Sequence, residues 1–283
     1  MFVAPSVKLN DGQRMPSFGL GLYQADASAR TVGLVKSAAR GGYRLFDTAQ
    51  LYGNEYETGQ GLRASRLPRD QLFVTTKVYT TAGGRPQVLK SFQQSRQQLM
   101  VDYVDLYLIH APQGGHVLEA YDTMLELQSK GRIRSVGVSN FGTHHLEAIR
   151  RAGRPLPAVN QIELHPFAQQ RPIVDYCRSS GIALMAYSPL SRGSALNDPF
   201  VQQLARKYRR SPAQILLRWS VQNGYIPIPK TNRRDRLQEN FQVFDFRLTD
   251  QDMRALTEYG SQREARSGWD PTSNSWTQFG PRY

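Results

Sequence analysis

Four residues of this 283-residue chain are of the types that could pass a proton to an oxygen: Asp47, Tyr52, Lys77 and His110. Asp47 and Tyr52 share the stretch RLFDTAQLYGNE (44–55), Lys77 closes TTKV, and His110 closes DLYLIH. A tyrosine with a pKa of ~10 is a poor proton donor near neutrality. A lysine beside it favours the phenolate, an aspartate holds that lysine in place and charged, and a neutral histidine can orient a carbonyl by hydrogen bonding. Such a set protonates an oxyanion as it forms, which is what reduction of a carbonyl by hydride requires. Each residue alone also has a plainer reading. Asp47 reads as a turn or cap residue, Tyr52 as one of 14 tyrosines, Lys77 as a strand-end surface lysine, and His110, like His165, as a satisfied core histidine. Only their convergence on one mouth would make a site.

Convergence depends on the elements that carry them. Eight short apolar runs are each followed by a helical stretch: 18–23, 44–48, 72–78, 104–110, 133–140, 158–164, 183–189 and 225–230. Several are too continuously apolar for half-exposed antiparallel strands, and glycines stand where helices should stop. Eight βα units without a Pro/Ser-rich linker predict one (β/α)8 TIM barrel domain over 1–283. An open doubly wound sheet would need an early G-x-G-x-x-G, which Gly19-Leu20-Gly21-Leu22-Tyr23-Gln24 fails at its third glycine. The hairpin-like VKLNDGQRMPSFG is expected to cap the barrel bottom. The irregular C-terminal tail after Gly260 is either a loose end or a loop over the mouth.

In such a barrel the functional groups project from the C-terminal strand ends. Those ends add Ser139, Asn140, Gln161, Tyr187, Ser188 and Lys230. A hydride must come from a carried cofactor, and IPKTNRRDRLQEN (228–240) offers a place for its phosphate. There Lys230 ends a strand, Thr231 and Asn232 can cap the next helix, and Arg236 and Asn240 share a face at i, i+4. That pattern favours NADPH over NADH, since only the former carries a 2′-phosphate.

Composition narrows the rest. The formal net charge is +13, and arginine supplies 29 of the 36 basic residues, scattered along the chain. Scatter predicts a solvated basic surface that draws in anions rather than a nucleic-acid groove, and no nucleic-acid motif accompanies it. No run reaches the ~18 apolar residues of a membrane helix. The start, MFVAPSVKLNDG, lacks a signal-peptide pattern, and the single Cys177 reads as a buried bystander in a reducing compartment. No histidine pair has zinc-site spacing, and adjacent His144 and His145 are expected to diverge on a helix. A cytoplasmic monomer with a small carbonyl substrate is the expectation, without nucleic-acid or membrane partners.

The motifs FDTAQLYGNE, TTKV, DLYLIH, GVSNF, NQIELHP, AYSPL and IPKT resemble those of the aldo-keto reductases, and the resemblance runs from residue 19 to residue 250. It implies a catalytic tetrad of Asp47, Tyr52, Lys77 and His110, with Tyr52 as general acid. Ser139, Asn140 and Gln161 would hold the nicotinamide carboxamide, Tyr187 would stack on the ring, and Ser188 and Leu190 would lie along the cofactor. Lys230, Thr231, Asn232, Arg236, Glu239 and Asn240 would hold the 2′-phosphate end, and Arg192 sits on the loop expected to cover the pyrophosphate. Tyr23, Tyr79 and Ala111 stand where many relatives carry tryptophans, and together with His110 they are the implied substrate-binding residues. With only APQGG after His110, the pocket should be open and less aromatic. That suits small aldehydes, dicarbonyls or keto sugars, and weakens a steroid or prostaglandin assignment. The alternative is a non-catalytic or moonlighting member that binds NADPH.

Overall fold

The structure is a computed structural model, and it describes residues 2–263, 265–266 and 270–273. A two-stranded antiparallel hairpin, β1 (Ser6–Lys8) and β2 (Arg14–Pro16), precedes a sheet of eight parallel strands. Those strands are β3 (Gly19–Gly21), β4 (Leu45–Asp47), β5 (Phe73–Val78), β6 (Val104–Ile109), β7 (Ile133–Ser139), β8 (Val159–Glu163), β9 (Ala183–Tyr187) and β10 (Ile226–Pro227). They neighbour one another in chain order. Between them run α1 (Ala29–Arg40), α2 (Glu55–Ser65), α3 (Gly84–Leu99), α4 (Val117–Ser129), α5 (Thr143–Arg151), α6 (Arg171–Ser179), and the pair α7 (Pro199–Tyr208) and α8 (Pro212–Gln222). α9 (Arg234–Phe241) and α10 (Asp250–Ser261) follow β10. The expected TIM barrel is present.

The barrel closes where β3 meets the chain just beyond β10. Pro227 and Pro229 have no N–H to offer, so the eighth strand is short. The Gly21 N–H nevertheless donates to the Pro229 carbonyl at 3.2 Å across the seam. A Cβ at Gly21 would lie 2.6 Å from the Ile228 carbonyl oxygen, so this approach requires glycine.

β5 and β6 are buried along their whole length, because a parallel barrel strand has side chains inside it and helices outside it. Inward-facing Leu45, Phe73, Leu106, Leu108, Val159 and Met185 fill the lower barrel together with Leu9 and Met15 of the hairpin. The hairpin thus caps the bottom as expected, and Asn10 ties it down by donating to the Pro157 carbonyl at 3.0 Å.

Two elements differ from the sequence reading. α3 begins at Gly84, four residues before the apolar pattern does. α10 was not anticipated, although the Thr249 hydroxyl caps it by accepting the Asp252 N–H at 3.1 Å. Of the tail, Ala265 donates its N–H to the Phe167 carbonyl and Thr272 packs on Gly142, in the loops after β8 and β7. Residues 264, 267–269 and 274–283 lie outside the described residues, so the tail's course over the mouth is not described.

Candidate active site

The C-terminal strand ends bring the four proton-handling residues together. Lys77, at the end of β5, is fully buried, and its Nζ donates to Asp47 Oδ1 at 2.6 Å, the Thr48 carbonyl at 2.9 Å and Tyr52 Oη at 3.2 Å. Its three protons are therefore all committed. Burial pushes the Asp47 carboxyl up and the Lys77 ammonium down, and their mutual contact opposes both shifts. Tyr52 stands in a 3-10 turn, Gln50–Tyr52, between β4 and α2. Gly53 in a left-handed conformation follows it, and the buried Asn54 side chain donates to the Leu22 and Ala25 carbonyls. The YGN sequence thus pins the turn that presents the phenol.

His110 follows β6, with its ring edge-on to Tyr52 at 5.7 Å between centroids. Burial, and then the Lys77 charge, lower its pKa to about 3, so the ring is neutral at any ordinary pH. His110 Nδ1 is buried without a hydrogen-bond partner among the described residues, which leaves Nε2 as the nitrogen able to serve a ligand in the cavity. Beneath it, the Asn140 amide donates to the His110 carbonyl at 2.9 Å and to Ser139 Oγ at 3.0 Å. Tyr187 Oη donates to Asn140 Oδ1 at 2.9 Å, and Ser139 Oγ donates to the Gln161 carbonyl at 2.9 Å. Asn140 and Ser188 both hold left-handed backbone angles, φ 61° and 47°, which non-glycine residues adopt where a site requires it.

These groups line a cavity of about 690 Å³. Asp47, Tyr52 and His110 stand at its floor, with Ser139, Asn140, Gln161, Tyr187, Ser188 and Leu190 along its wall. Tyr23, Arg192, Lys230 and Arg236 line it too. Tyr23 is 39% exposed and stacks obliquely at 5.1 Å from Tyr52.

Other anticipated residues fall outside this lining. Tyr79 faces His110 at 6.5 Å between rings, and Ala111 is buried. Thr231 is buried, and its hydroxyl accepts the Arg233 N–H at 3.0 Å, while Asn232 is exposed. Asn232 therefore does not cap α9, whose N-cap position is Arg233 without a side-chain bond. Glu239 is half-buried, and Asn240 is buried. Gly21, Gln24, Leu51, Pro189, Gly193, Leu196, Ile228 and Pro229 line the cavity unanticipated. None carries an ionisable group, so only their places beside Tyr23, Tyr52 and Lys230 could have marked them.

Outside the cavity, Cys177 is buried, with its thiol pushed up to about 12 by that burial. His144 and His145 do not diverge: their rings lie 3.8 Å apart. His145 folds back to accept the Gly142 N–H in the first turn of α5, which brings its ring beside its neighbour.

The profile of the Aldo/keto reductase family matches residues 17–260. The chain belongs to this family. Among curated relatives, the 9,11-endoperoxide prostaglandin H2 reductase of Trypanosoma cruzi is 40% identical, over 94% of each chain. The glyoxal reductase of Bacillus subtilis is 41% identical, over 88% of this chain and 90% of its own length. Among solved structures, the Bombyx mori aldo-keto reductase in complex with NADP superposes with a TM-score of 0.85 at 37% identity, covering 92% of this chain and 94% of the other. Family membership accounts for the barrel.

Proposed function

We propose that this aldo-keto reductase is an NADPH-dependent reductase of small aldehydes, dicarbonyls or keto sugars. The observation that carries the reading is Lys77 Nζ bonded at once to Asp47 and to Tyr52 Oη at the floor of an open cavity, with neutral His110 alongside. The residues fit a phosphorylated dinucleotide. Lys230 and Arg236 line the cavity, and neither has a carboxylate within ion-pair distance among the described residues. Lys230 is half-buried and its pKa is lowered by that burial, so an incoming phosphate would relieve an unpaired cation. Ser139, Asn140, Gln161 and Tyr187 would hold the nicotinamide end.

When bound, the cofactor supplies hydride to the carbonyl carbon. His110 Nε2–H orients the carbonyl oxygen, and Tyr52 Oη gives it a proton as negative charge develops there. The bond from Lys77 stabilises the phenolate that remains until solvent returns a proton. Asp47 keeps Lys77 aimed at Tyr52. Hydride on carbon and proton on oxygen give the alcohol. The dicarbonyl class is supported by the open cavity and by likeness to a glyoxal reductase. The likeness to a prostaglandin endoperoxide reductase puts a bulkier substrate on the same panel.

The test is oxidation of NADPH by the purified protein over aldehydes, α-dicarbonyls, keto sugars and an endoperoxide, with NADH in parallel and Tyr52→Phe beside the wild type. The expected result is turnover that prefers NADPH and falls by about 10²–10⁴ in Tyr52→Phe. Equal rates for the two proteins would remove Tyr52 as the donor.

A further inference from the structure

Gln161 joins the two halves of the site. It is buried on β8, opposite Ser139 of β7, and it lines the cavity. Its Nε2 donates to Asp47 Oδ2 at 2.7 Å, across 114 residues of chain, and to Met185 Sδ at 3.0 Å. A carboxylate only accepts, so the amide nitrogen must face Asp47, and Oε1 is the atom left for anything else. Asp47 thus has a cation on Oδ1 and a neutral donor on Oδ2.

We propose that Gln161 is a positioning residue: by donating to Asp47 it holds that carboxylate as the anion, and so keeps Lys77 charged against the Tyr52 hydroxyl. The argument is one of competition between two forms of a buried pair. Two charges in a low-dielectric interior can become neutral by passing the proton from Lys77 to Asp47, and burial favours that neutral form. Every donor on the carboxylate opposes it, because a hydrogen bond to an ion is stronger than one to a neutral acid. Gln161 is such a donor, and it acts on Tyr52 through Asp47 and Lys77. The groups set around Tyr52 include Lys77 from β5, which Asp47 of β4 holds, His110 after β6 and Tyr23 after β3, and Glu55 of α2 acts electrostatically on Lys77. Of the two bonds that the Gln161 side chain donates, the one to Asp47 leads into this group. Its loss should therefore reach the phenol through Asp47 and Lys77.

The catalytic consequence rests on Tyr52 being the proton donor, whereas the titration itself does not. The experiment is 13Cζ-tyrosine NMR of the cofactor-free protein against pH, with Tyr52→Phe assigning the resonance. In Gln161→Met, similar in length but without a donor, the Tyr52 midpoint should rise by about one pH unit, a tenfold gain in proton affinity. Gln161→Asn, which stays polar but falls short of Asp47, should move it the same way and serves if the methionine variant does not fold. An unchanged midpoint in a folded variant overturns the proposal. So does a loss of NADPH affinity, read by protein fluorescence, with the midpoint unmoved, since Gln161 would then hold cofactor only. A wild type that turns over no carbonyl would sink the proposed function, yet leave this titration to be read on its own.

Discussion

Two buried carboxylates, one at each end of the barrel, are each 1% exposed and each face basic side chains. Asp105, near the start of β6, accepts Arg69 Nη2 at 2.7 Å and the Val74 N–H at 2.9 Å on one oxygen, and Arg134 Nη1 at 3.2 Å on the other. The two guanidinium groups sandwich the Tyr103 ring at 4.0 and 4.1 Å. Arg69 also donates to the Leu72 and Tyr103 carbonyls, so its bonds run to groups within the cluster and stitch the bottom of the barrel. Asp47, at the end of β4, faces a lysine instead. One of that lysine's three bonds goes to a phenol bordering a cavity. A buried ion pair is therefore no site in itself. What makes one is a bond that leads out of the cluster to a group a ligand can touch. Arginine's planar fork suits the closed arrangement, and lysine's compact ammonium suits the open one.

The largest effects should come from breaking the upper pair. Lys77→Met is expected to cut kcat by at least about 10²-fold and to cost about 3–5 kcal/mol of stability, because Asp47 is left charged and unpaired in the interior. Adding Asp47→Asn should restore most of the stability, measured by denaturant unfolding, and none of the activity. If the double variant stayed as unstable as the single, the buried charge would not be the cause.

The lower cluster predicts the reverse pattern. Asp105→Ala removes the shared acceptor of two guanidinium groups and should cost about 2–4 kcal/mol, yet leave kcat of the folded protein within about twofold of wild type. A collapse in kcat without loss of structure would erase the distinction between the two ends.

His110 sharpens the comparison through pH. Its folded pKa of about 3 lies far below an ordinary histidine value of ~6.5, so the unfolded chain binds this proton where the folded protein does not. Its contribution to stability is therefore complete above pH ~6.5 and is lost as pH falls toward 3. By NMR, the His110 ring should show no titration between pH 5 and 8, and kcat should show no acid limb owed to it. An imidazolium at pH 6 would overturn both the burial argument and the role given to Nε2–H.

How much of this was legible beforehand depends on where each signal lies along the chain. Lys77 and His110 could be read because a charged or imidazole side chain closes an apolar run, and a parallel barrel sends all such ends to one mouth. The hairpin's place under the barrel followed from its turn. The bond from Gln161 to Asp47 had no local trace, since only closure of the sheet brings residues on β4 and β8 together across the barrel. Leu51 and Gln24 were invisible for another reason: neutral wall residues carry no chemistry that spacing could reveal. His144 and His145 misled because ideal helix geometry fails in a first turn, where side chains fold back to satisfy free N–H groups.

The smallest effects should come from the basic segment at the start of α9, where the same rule sorts neighbours in one cluster. Arg233 is spent on Asp235, its guanidinium bonding both carboxylate oxygens at the exposed surface. Arg236 lines the cavity and has no such partner among the described residues. Arg236→Ala should therefore weaken NADPH binding by about tenfold, as expected for loss of one charge-assisted contact, and leave NADH nearly unchanged. Arg233→Ala should change either by less than about twofold, because a screened surface pair has little to lose. Fluorescence titration of both variants with both dinucleotides checks this. If Arg233→Ala weakened NADPH as much as Arg236→Ala, the segment would act by its total charge. The rule that separates closed clusters from open ones would then hold for the barrel's two buried ends but not for its surface.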